Sequence, residues 1–171
     1  MAVDALLARS SGAGIRETFD AWSADVFLGQ TEARLAKPLT FMNRSGAAVA
    51  RLLDEAALQP SDLVVMVDDV ALDLGTLRVR ERGSHGGHNG LRSLIETLGT
   101  EEFPRVRIGV KRGDLPEDLA EYVLSEFPPD EVLIVQEAVG AAADAVECLL
   151  LEGVAVAMNR FNSRGGSGRP S

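Results

Sequence analysis

The densest group of chemically active side chains lies in a glycine-rich loop from Gly83 to Gly90. Its four glycines surround both histidines of the chain, His85 and His88, and the amide of Asn89. Glycines let a backbone approach another molecule closely, and the first turn of a following helix leaves N–H groups unpaired. The loop therefore predicts a binding site for an anion or a polar chain end. A plain tight turn in which Asn89 caps the helix is the alternative.

A second candidate is Asp68, which follows an apolar run from Leu63 to Val67. Such a run is typical of a central strand covered on both faces, and ligands of open α/β sheets lie at the carboxyl ends of the strands. Asp68 is therefore a position where chemistry would be expected. A turn or capping aspartate is the equal alternative, because Asp73 and Gly75 nearby also favour turns.

Arginines form a third candidate group. The strand predicted just before the loop alternates with period two and places Arg78, Arg80 and Arg82 on one face. Arg105 and Arg107 share a face of another predicted strand. If the two strands are neighbours, their guanidinium groups could converge on one phosphate, whose oxygens match the guanidinium fork. Exposed arginines paired with local glutamates are the alternative.

The charge is distributed unevenly along the chain. A net charge of −9 argues against a nucleic-acid partner, because phosphate contacts supply most of that affinity. Basic residues nevertheless outnumber acidic ones between Thr76 and Arg112, and no lysine or arginine occurs between Gly113 and Asn159. One basic face could therefore meet an anionic ligand, unless the clustering is only a feature of the solvated surface.

Length and composition indicate one globular domain. The chain has 171 residues, 46% hydrophobic and 25% charged, and no apolar run approaches the roughly 20 residues that cross a bilayer. Its start lacks the pattern of a secretory signal, and the single Cys148 excludes an internal disulfide and fits a reducing compartment. We expect a cytoplasmic protein with one domain over residues 1–162 and a disordered Gly/Ser/Arg/Pro tail at 163–171.

The chain is predicted to contain both strands and helices. A helix over Ala2–Arg9 is predicted to end in a break at Ser10–Gly14. The other predicted elements, in chain order, are hairpin strands at 22–28 and 33–37, a helix after Gly46, strands at 63–67 and 76–82, a helix at 91–98, a strand at 105–110, a short helix at 118–124, a long helix opened by Pro129, and a last helix around 154–161. Cys148 is expected to be buried.

Two segments carry a family resemblance. They are Pro38-Leu39-Thr40-Phe41-Met42-Asn43-Arg44-Ser45-Gly46 and Gly86-Gly87-His88-Asn89-Gly90-Leu91. Together with the segments at 67–75, 77–90 and 103–109, in this order, they make the chain resemble bacterial-type peptidyl-tRNA hydrolase from near its start to the last helix. The resemblance implies a three-layer α/β/α fold with a twisted mixed central sheet. It implies hydrolysis of the ester bond between peptide and tRNA, which recycles tRNA from abandoned translation.

The resemblance also implies roles for single residues. Asn43 and Asn89 would hold the peptide backbone and position the attacking water, with Phe41 and His88 lining the same site. Asp68 would orient and stabilise the catalytic histidine of the family. Independently of any family, ester hydrolysis needs a water, a base, an orienter for the base and donors for the developing oxyanion.

The basic residues receive a role in the same way. Arg80 and Arg107 match the family's clamp for the tRNA 5′-phosphate, with Arg78 and Arg105 beside them. No metal and no organic cofactor are implied, although His85, His88 and Asp68 have a spacing that a metal site could use. Peptidyl-tRNA is the expected partner, no membrane or stable protein partner is expected, and the protein is expected to be a monomer.

The chain departs from the family pattern near Met1. In the family, a first strand ends in a Gly-Asn-Pro-Gly turn and a following Arg-His-Asn segment supplies the general base, and neither motif occurs in these 171 residues. We expect that the protein starts upstream at another codon and that the first strand is missing from the fold. One alternative is a catalytically inactive relative that binds tRNA or structured RNA. Another is that His88 or His85 serves as the base.

Overall fold

The computed structural model describes residues 1–162, in two compact units. The first unit comprises residues 1, 3–64 and 81–104, and the second comprises residue 2, residues 65–80 and the residues from 105 onward. The predicted tail at 163–171 lies outside the described residues. No helix within residues 1–162 combines the length and the apolar character that crossing a membrane requires.

The described chain contains six helices and six strands. The helices are α1 (Ala2–Arg9), α2 (Ser45–Ala56), α3 (Asn89–Leu98), α4 (Leu119–Leu124), α5 (Val132–Glu152) and α6 (Val154–Asn162), with short 3₁₀ turns at Met42–Arg44 and Pro60–Asp62. The strands are β1 (Ser11–Thr18), β2 (Ala21–Leu28), β3 (Thr31–Pro38), β4 (Val65–Asp73), β5 (Leu77–Arg80) and β6 (Arg105–Lys111).

The first unit contains an antiparallel sheet in the order β1-β2-β3. The predicted hairpin is confirmed, since Leu28 pairs with Thr31 around a two-residue turn. The predicted helix over Ala2–Arg9 and its end at Ser10 are confirmed, but the sequence did not predict that the chain from Ser11 onward forms β1, which pairs with β2 through a register shift between Ser11 and Gly14. The long-range partner β2 overrides the turn preference of the local sequence.

The helices of the first unit bury the apolar stripes that their sequences predict. Leu52 and Leu53 of α2 are buried, as are Leu91 and Leu94 of α3. The two helices pack directly against each other. The predicted amphipathic patterns therefore identify the packed faces correctly.

The second unit contains a mixed sheet in the order β4-β6-β5, with β4 parallel and β5 antiparallel to β6. The prediction that the apolar run forms a central strand is wrong, because β6 is central and β4 pairs on one edge only in the described part of the chain. The strand also does not end at Asp68. It continues to Asp73, with a register shift after Asp69.

This shift has a local cause in β6. A Cβ placed on Gly109 would overlap the carbonyl oxygen of Asp73 and lie 2.8 Å from that of Leu72. Because glycine has no Cβ, the bulged part of β4 can lie directly over β6.

Helices α5 and α6 pack against β5 and β6. Helix α5 starts at Val132 rather than at the predicted Pro129, because the preceding residues form a turn in which the Glu131 N–H donates to the Pro128 carbonyl at 2.9 Å. Its buried positions include four alanines, and Cys148 is buried as predicted. Small side chains let this helix lie close to its neighbours.

Candidate active site

A cleft in the first unit brings together three of the predicted site residues. Its volume is about 540 Å³, and it is lined by Phe41, Met42, Asn43, Asn89, Arg92, Ser93 and Glu96. Phe41 and Asn43 come from the first motif segment and Asn89 comes from the second. Segments more than forty residues apart in the sequence therefore form one site.

The first wall of the cleft is the 3₁₀ turn at Met42–Arg44, which leads directly into α2. The Ser45 hydroxyl donates to the Met42 carbonyl at 3.0 Å and fixes this corner. Phe41, just before the turn, is 80% exposed, so its ring is a ready apolar contact for a ligand.

The second wall is one face of α3. Asn89, Arg92, Ser93 and Glu96 follow one another at i, i+3, i+4 and i+7, which places them in a row along the helix. Arg92 and Glu96 were not identified from the sequence. The same helical period, counted from Asn89, would have found them.

Two glycines hold the walls in contact. The Gly46 N–H donates to the Ser93 hydroxyl at 2.9 Å, and a Cβ on Gly46 would overlap the Ser93 carbonyl. A Cβ on Gly90 would lie 2.7 Å from the Met42 Sδ atom. The absence of side chains at these positions lets the 3₁₀ turn and α2 meet the first turns of α3, which sets Asn43 and Asn89 along the same cleft.

The cap of α3 is His88. Its Nδ1 atom accepts a hydrogen bond from the Leu91 N–H at 3.2 Å, so the alternative in which Asn89 caps the helix is wrong. The amide of Asn89 is thereby released from capping and lines the cleft.

The same contact bears on the alternative that a loop histidine is the base. A neutral imidazole that accepts at Nδ1 carries its proton on Nε2, and the lone pair at Nδ1 is occupied. His85 is used in the same way, since its Nδ1 accepts from the Gly87 N–H at 3.0 Å. Both imidazoles accept backbone N–H hydrogen bonds in this structure, which disfavours either of them as the catalytic base.

The remaining predicted site residues belong to the second unit. Asp68 is half-buried and lies opposite Ile108 of β6, whereas Asp69 lies opposite Gly109. Successive strand residues point to opposite faces, so the two carboxylates leave the sheet on different sides. No group of three or more His, Cys, Asp or Glu side chains within residues 1–162 is arranged to hold a metal ion.

The predicted pairing of the arginine strands is confirmed. Arg78 lies opposite Arg107 and Arg80 lies opposite Arg105, so all four residues share one face of the β5–β6 pair. Arg82 is outside the strand and forms an ion pair with Glu102 at 3.0 Å.

Burial separates the four strand arginines. Arg105 is 1% exposed, so it does not fit the predicted role as a contact for an external phosphate. Arg78 is half-buried and donates to the Asn162 carbonyl at 2.6 Å, which gives it a structural contact. Arg80 is exposed, and Arg107 is partly exposed beside Asp69. The solvent-facing pair is therefore Arg80 and Arg107.

Comparison with known proteins finds similarity to peptidyl-tRNA hydrolases. The sequence profile of a family described as peptidyl-tRNA hydrolase matches residues 1–168. The chain is 51% identical over 129 residues to a peptidyl-tRNA hydrolase of Synechococcus sp. (strain JA-3-3Ab), covering 75% of this chain and 57% of that protein. It is 43% identical over 149 residues to a peptidyl-tRNA hydrolase of Thermotoga petrophila, covering 86% of this chain and 78% of the relative.

A solved structure gives the same result for the fold. The peptidyl-tRNA hydrolase of Acinetobacter baumannii superposes with a TM-score of 0.86 at 29% identity, covering 95% of this chain and 83% of that one. The predicted α/β fold class with a mixed sheet is thus confirmed.

Proposed function

The chain belongs to the peptidyl-tRNA hydrolase family, and from this premise we propose that it hydrolyses the ester bond between peptide and tRNA in peptidyl-tRNA. The observation that carries the proposal is the cleft that Asn43 and Asn89 line together. The relatives at 43–51% identity are named as hydrolases, which favours this activity over a binding-only role.

The two amides would act on the peptide side of the ester. Each carries N–H donors and a carbonyl acceptor, so the pair can hold a peptide backbone and position a water against the ester carbonyl. Donors aimed at a developing oxyanion contribute about 100- to 1000-fold in rate in ester and amide hydrolysis. The exposed ring of Phe41 offers an apolar surface for the same peptide.

Asp68 would orient the catalytic base. A half-buried carboxylate that accepts a hydrogen bond from an imidazole fixes its orientation and stabilises its protonated form. We propose this role for Asp68 toward the histidine that the family uses as its base.

Arg80 and Arg107 would bind the 5′-phosphate of the tRNA. They are diagonal neighbours on one face of the β5–β6 pair, a separation of about 7–8 Å between backbones that long side chains can bridge. Both retain exposure to solvent, which supports this pair over Arg78 and Arg105. We further propose that the protein acts in the cytoplasm as a monomer, with residues 1–162 as one domain.

Cleavage by amide variants tests the proposal. We expect Asn43→Ala and Asn89→Ala each to slow single-turnover cleavage of N-acetylaminoacyl-tRNA by about 100-fold, because each removes a donor to the reacting group. Asn159→Ala removes an exposed amide from α6 and is the matched control, expected to cleave at the unmodified rate. Unchanged rates in both cleft variants would remove the support for this site.

A further inference from the structure

Asp69 has no role in the proposed chemistry, yet it is one of the few buried charged residues in the described structure. It is 6% exposed, and its Oδ2 atom lies 2.9 Å from the Nε atom of Arg107. Its Oδ1 atom accepts a hydrogen bond from the Ala71 N–H at 2.9 Å. A carboxylate is rarely buried without partners, and here both oxygens have one.

The position of this carboxylate is fixed by the backbone. Asp69 is the last regularly paired residue before the register shift in β4. The Ala71 N–H that donates a hydrogen bond to its carboxylate belongs to the shifted segment. Residues two apart on a strand share a face, and Val67 lies opposite Arg107, so Asp69 lies on the same face as that arginine. The sheet therefore places the carboxylate beside the Arg107 side chain by register alone.

The contact uses only one side of the guanidinium. The Nε atom of Arg107 is buried, whereas the side chain as a whole is 29% exposed. The Nε–H bond is not aligned for a hydrogen bond, so the contact with Asp69 is an ion pair without a hydrogen bond. With Nε buried against Asp69, the two Nη atoms are the part of the guanidinium left to bind an external anion, and their spacing matches two phosphate oxygens.

We propose that Asp69 is a positioning residue for Arg107: it holds the Nε side of the guanidinium against β4, so that the Nη end faces the 5′-phosphate of the tRNA. This inference rests on the proposed function, since it needs Arg107 to bind that phosphate. Within residues 1–162 no comparable ion pair is found for the exposed Arg80, so Arg107 is the arginine of this pair that supplies an oriented fork.

The test compares tRNA that carries a 5′-phosphate with the same tRNA ending in a 5′-hydroxyl. We expect the unmodified protein to bind the phosphorylated form more tightly, and we expect Asp69→Asn to reduce that preference about fivefold to tenfold. If the oxygen of the introduced amide still accepts the hydrogen bond from the Ala71 N–H, its NH₂ group faces the Nε atom of Arg107. Two donors then face each other, and the attraction that positions Arg107 is lost. Affinity for the 5′-hydroxyl form should not fall, because the change removes a negative charge.

Two further variants separate positioning from charge and from stability. Asp73→Asn removes an exposed carboxylate from the same strand and should leave the phosphate preference unchanged. Arg107→Lys keeps the charge but lacks the fork, and should lose the preference to a similar extent even if Asp69→Asn folds poorly. In an Arg107→Ala background, Asp69→Asn should have no additional effect on the preference.

The outcomes distinguish this inference from the proposed function. If the unmodified protein prefers the phosphorylated tRNA, but Asp69→Asn lowers only the melting temperature and Arg107→Lys binds normally, the ion pair is structural and the inference is wrong. If the unmodified protein shows no preference, or Arg107→Ala leaves the preference intact, the proposed phosphate clamp fails and the inference fails with it.

Discussion

At the scale of single residues, hydrogen-bond partners decide roles that residue type leaves open. By residue type alone, any of His85, His88 and Asn89 could bind a ligand or cap the helix. In the structure the two imidazoles accept backbone N–H hydrogen bonds, and the amide of Asn89 lines the cleft. The arginines are separated in the same way, by burial and by partners. Which of several suitable side chains faces a ligand depends on such contacts.

Asp25 gives a prediction about pH. Arg34 contacts its carboxylate at 2.6 Å, and this hydrogen bond holds the pKa of Asp25 below its usual value, with Arg16 also nearby at 3.1 Å. A lowered pKa means that the pair stabilises the fold above the unfolded value of about 3.9 and that this stabilisation is lost as pH falls through the lowered value.

We therefore expect Asp25→Asn to lower the free energy of unfolding at pH 7 by about 0.5–1 kcal/mol, a small value because the side chain is 41% exposed. The difference should shrink toward zero in urea unfolding as pH falls through the lowered pKa of Asp25, because both proteins then lack this charge. Asp54→Asn changes an exposed carboxylate on α2 and is the control. A difference that persists at low pH would show that the effect is not electrostatic.

At the scale of elements, single contacts fix how neighbouring elements meet. In the first unit, α2 and α3 cross closely at Gly46. In the second unit, Asn162 at the end of α6 accepts from the Val79 N–H at 2.7 Å and donates to the Val79 carbonyl at 3.0 Å. Its amide pairs with the edge of β5 as another strand would.

We expect Gly46→Ala to lower the free energy of unfolding by about 1–3 kcal/mol, because the added Cβ would overlap the Ser93 carbonyl and force the helices apart. Cleavage should fall as well, since the cleft lies at this crossing. Gly14→Ala is the matched control, because a Cβ there has nothing within 4 Å. Equal chemical-denaturation midpoints for the two variants would contradict this packing.

We expect Asn162→Ala to cost about 1–3 kcal/mol of stability by leaving the backbone groups of Val79 without their side-chain partner. Hydrogen exchange should show faster exchange at the Val79 amide. Asn159→Ala, on an exposed part of the same helix, should leave that amide protected. Unchanged exchange in Asn162→Ala would indicate that this contact does not hold the strand edge.

The sequence predicts elements better than it predicts their neighbours. Apolar periodicity identifies α2, α3 and α6 and the hairpin because each pattern is local. It misses β1, whose Gly/Ser-rich start is a strand only because β2 pairs with it, and it misplaces β4 as central. The contact between Asn162 and Val79 joins residues 83 positions apart, and no local pattern contains it.

At the scale of the whole molecule, an acidic protein carries a local basic surface. The net charge is −9, yet Arg80 and Arg107 lie on one strand face with exposed groups. The sequence predicted this face from alternation and charge asymmetry. It could not predict that Arg105 is buried or that Arg78 donates to Asn162, since both depend on what packs over the strands.

We expect the double variant Arg80→Ala plus Arg107→Ala to weaken tRNA binding about 10- to 100-fold at low salt and to reduce the salt dependence of log affinity by about one, because phosphate contacts release counterions. Binding can be measured by filter retention or fluorescence anisotropy across a salt series. Arg82→Ala, which removes an ion-paired arginine outside the strand, should change affinity little. A salt slope that is the same in all three proteins would place the phosphate contact elsewhere.

Hydrolase activity is tested most directly by single-turnover cleavage of N-acetylaminoacyl-tRNA. It is measured for the 171-residue chain, with circular dichroism to confirm that the protein is folded. We predict cleavage that is slowed by Asn89→Ala. If the folded protein binds tRNA and does not release the peptide, the hydrolase assignment is wrong and the protein is an RNA-binding relative.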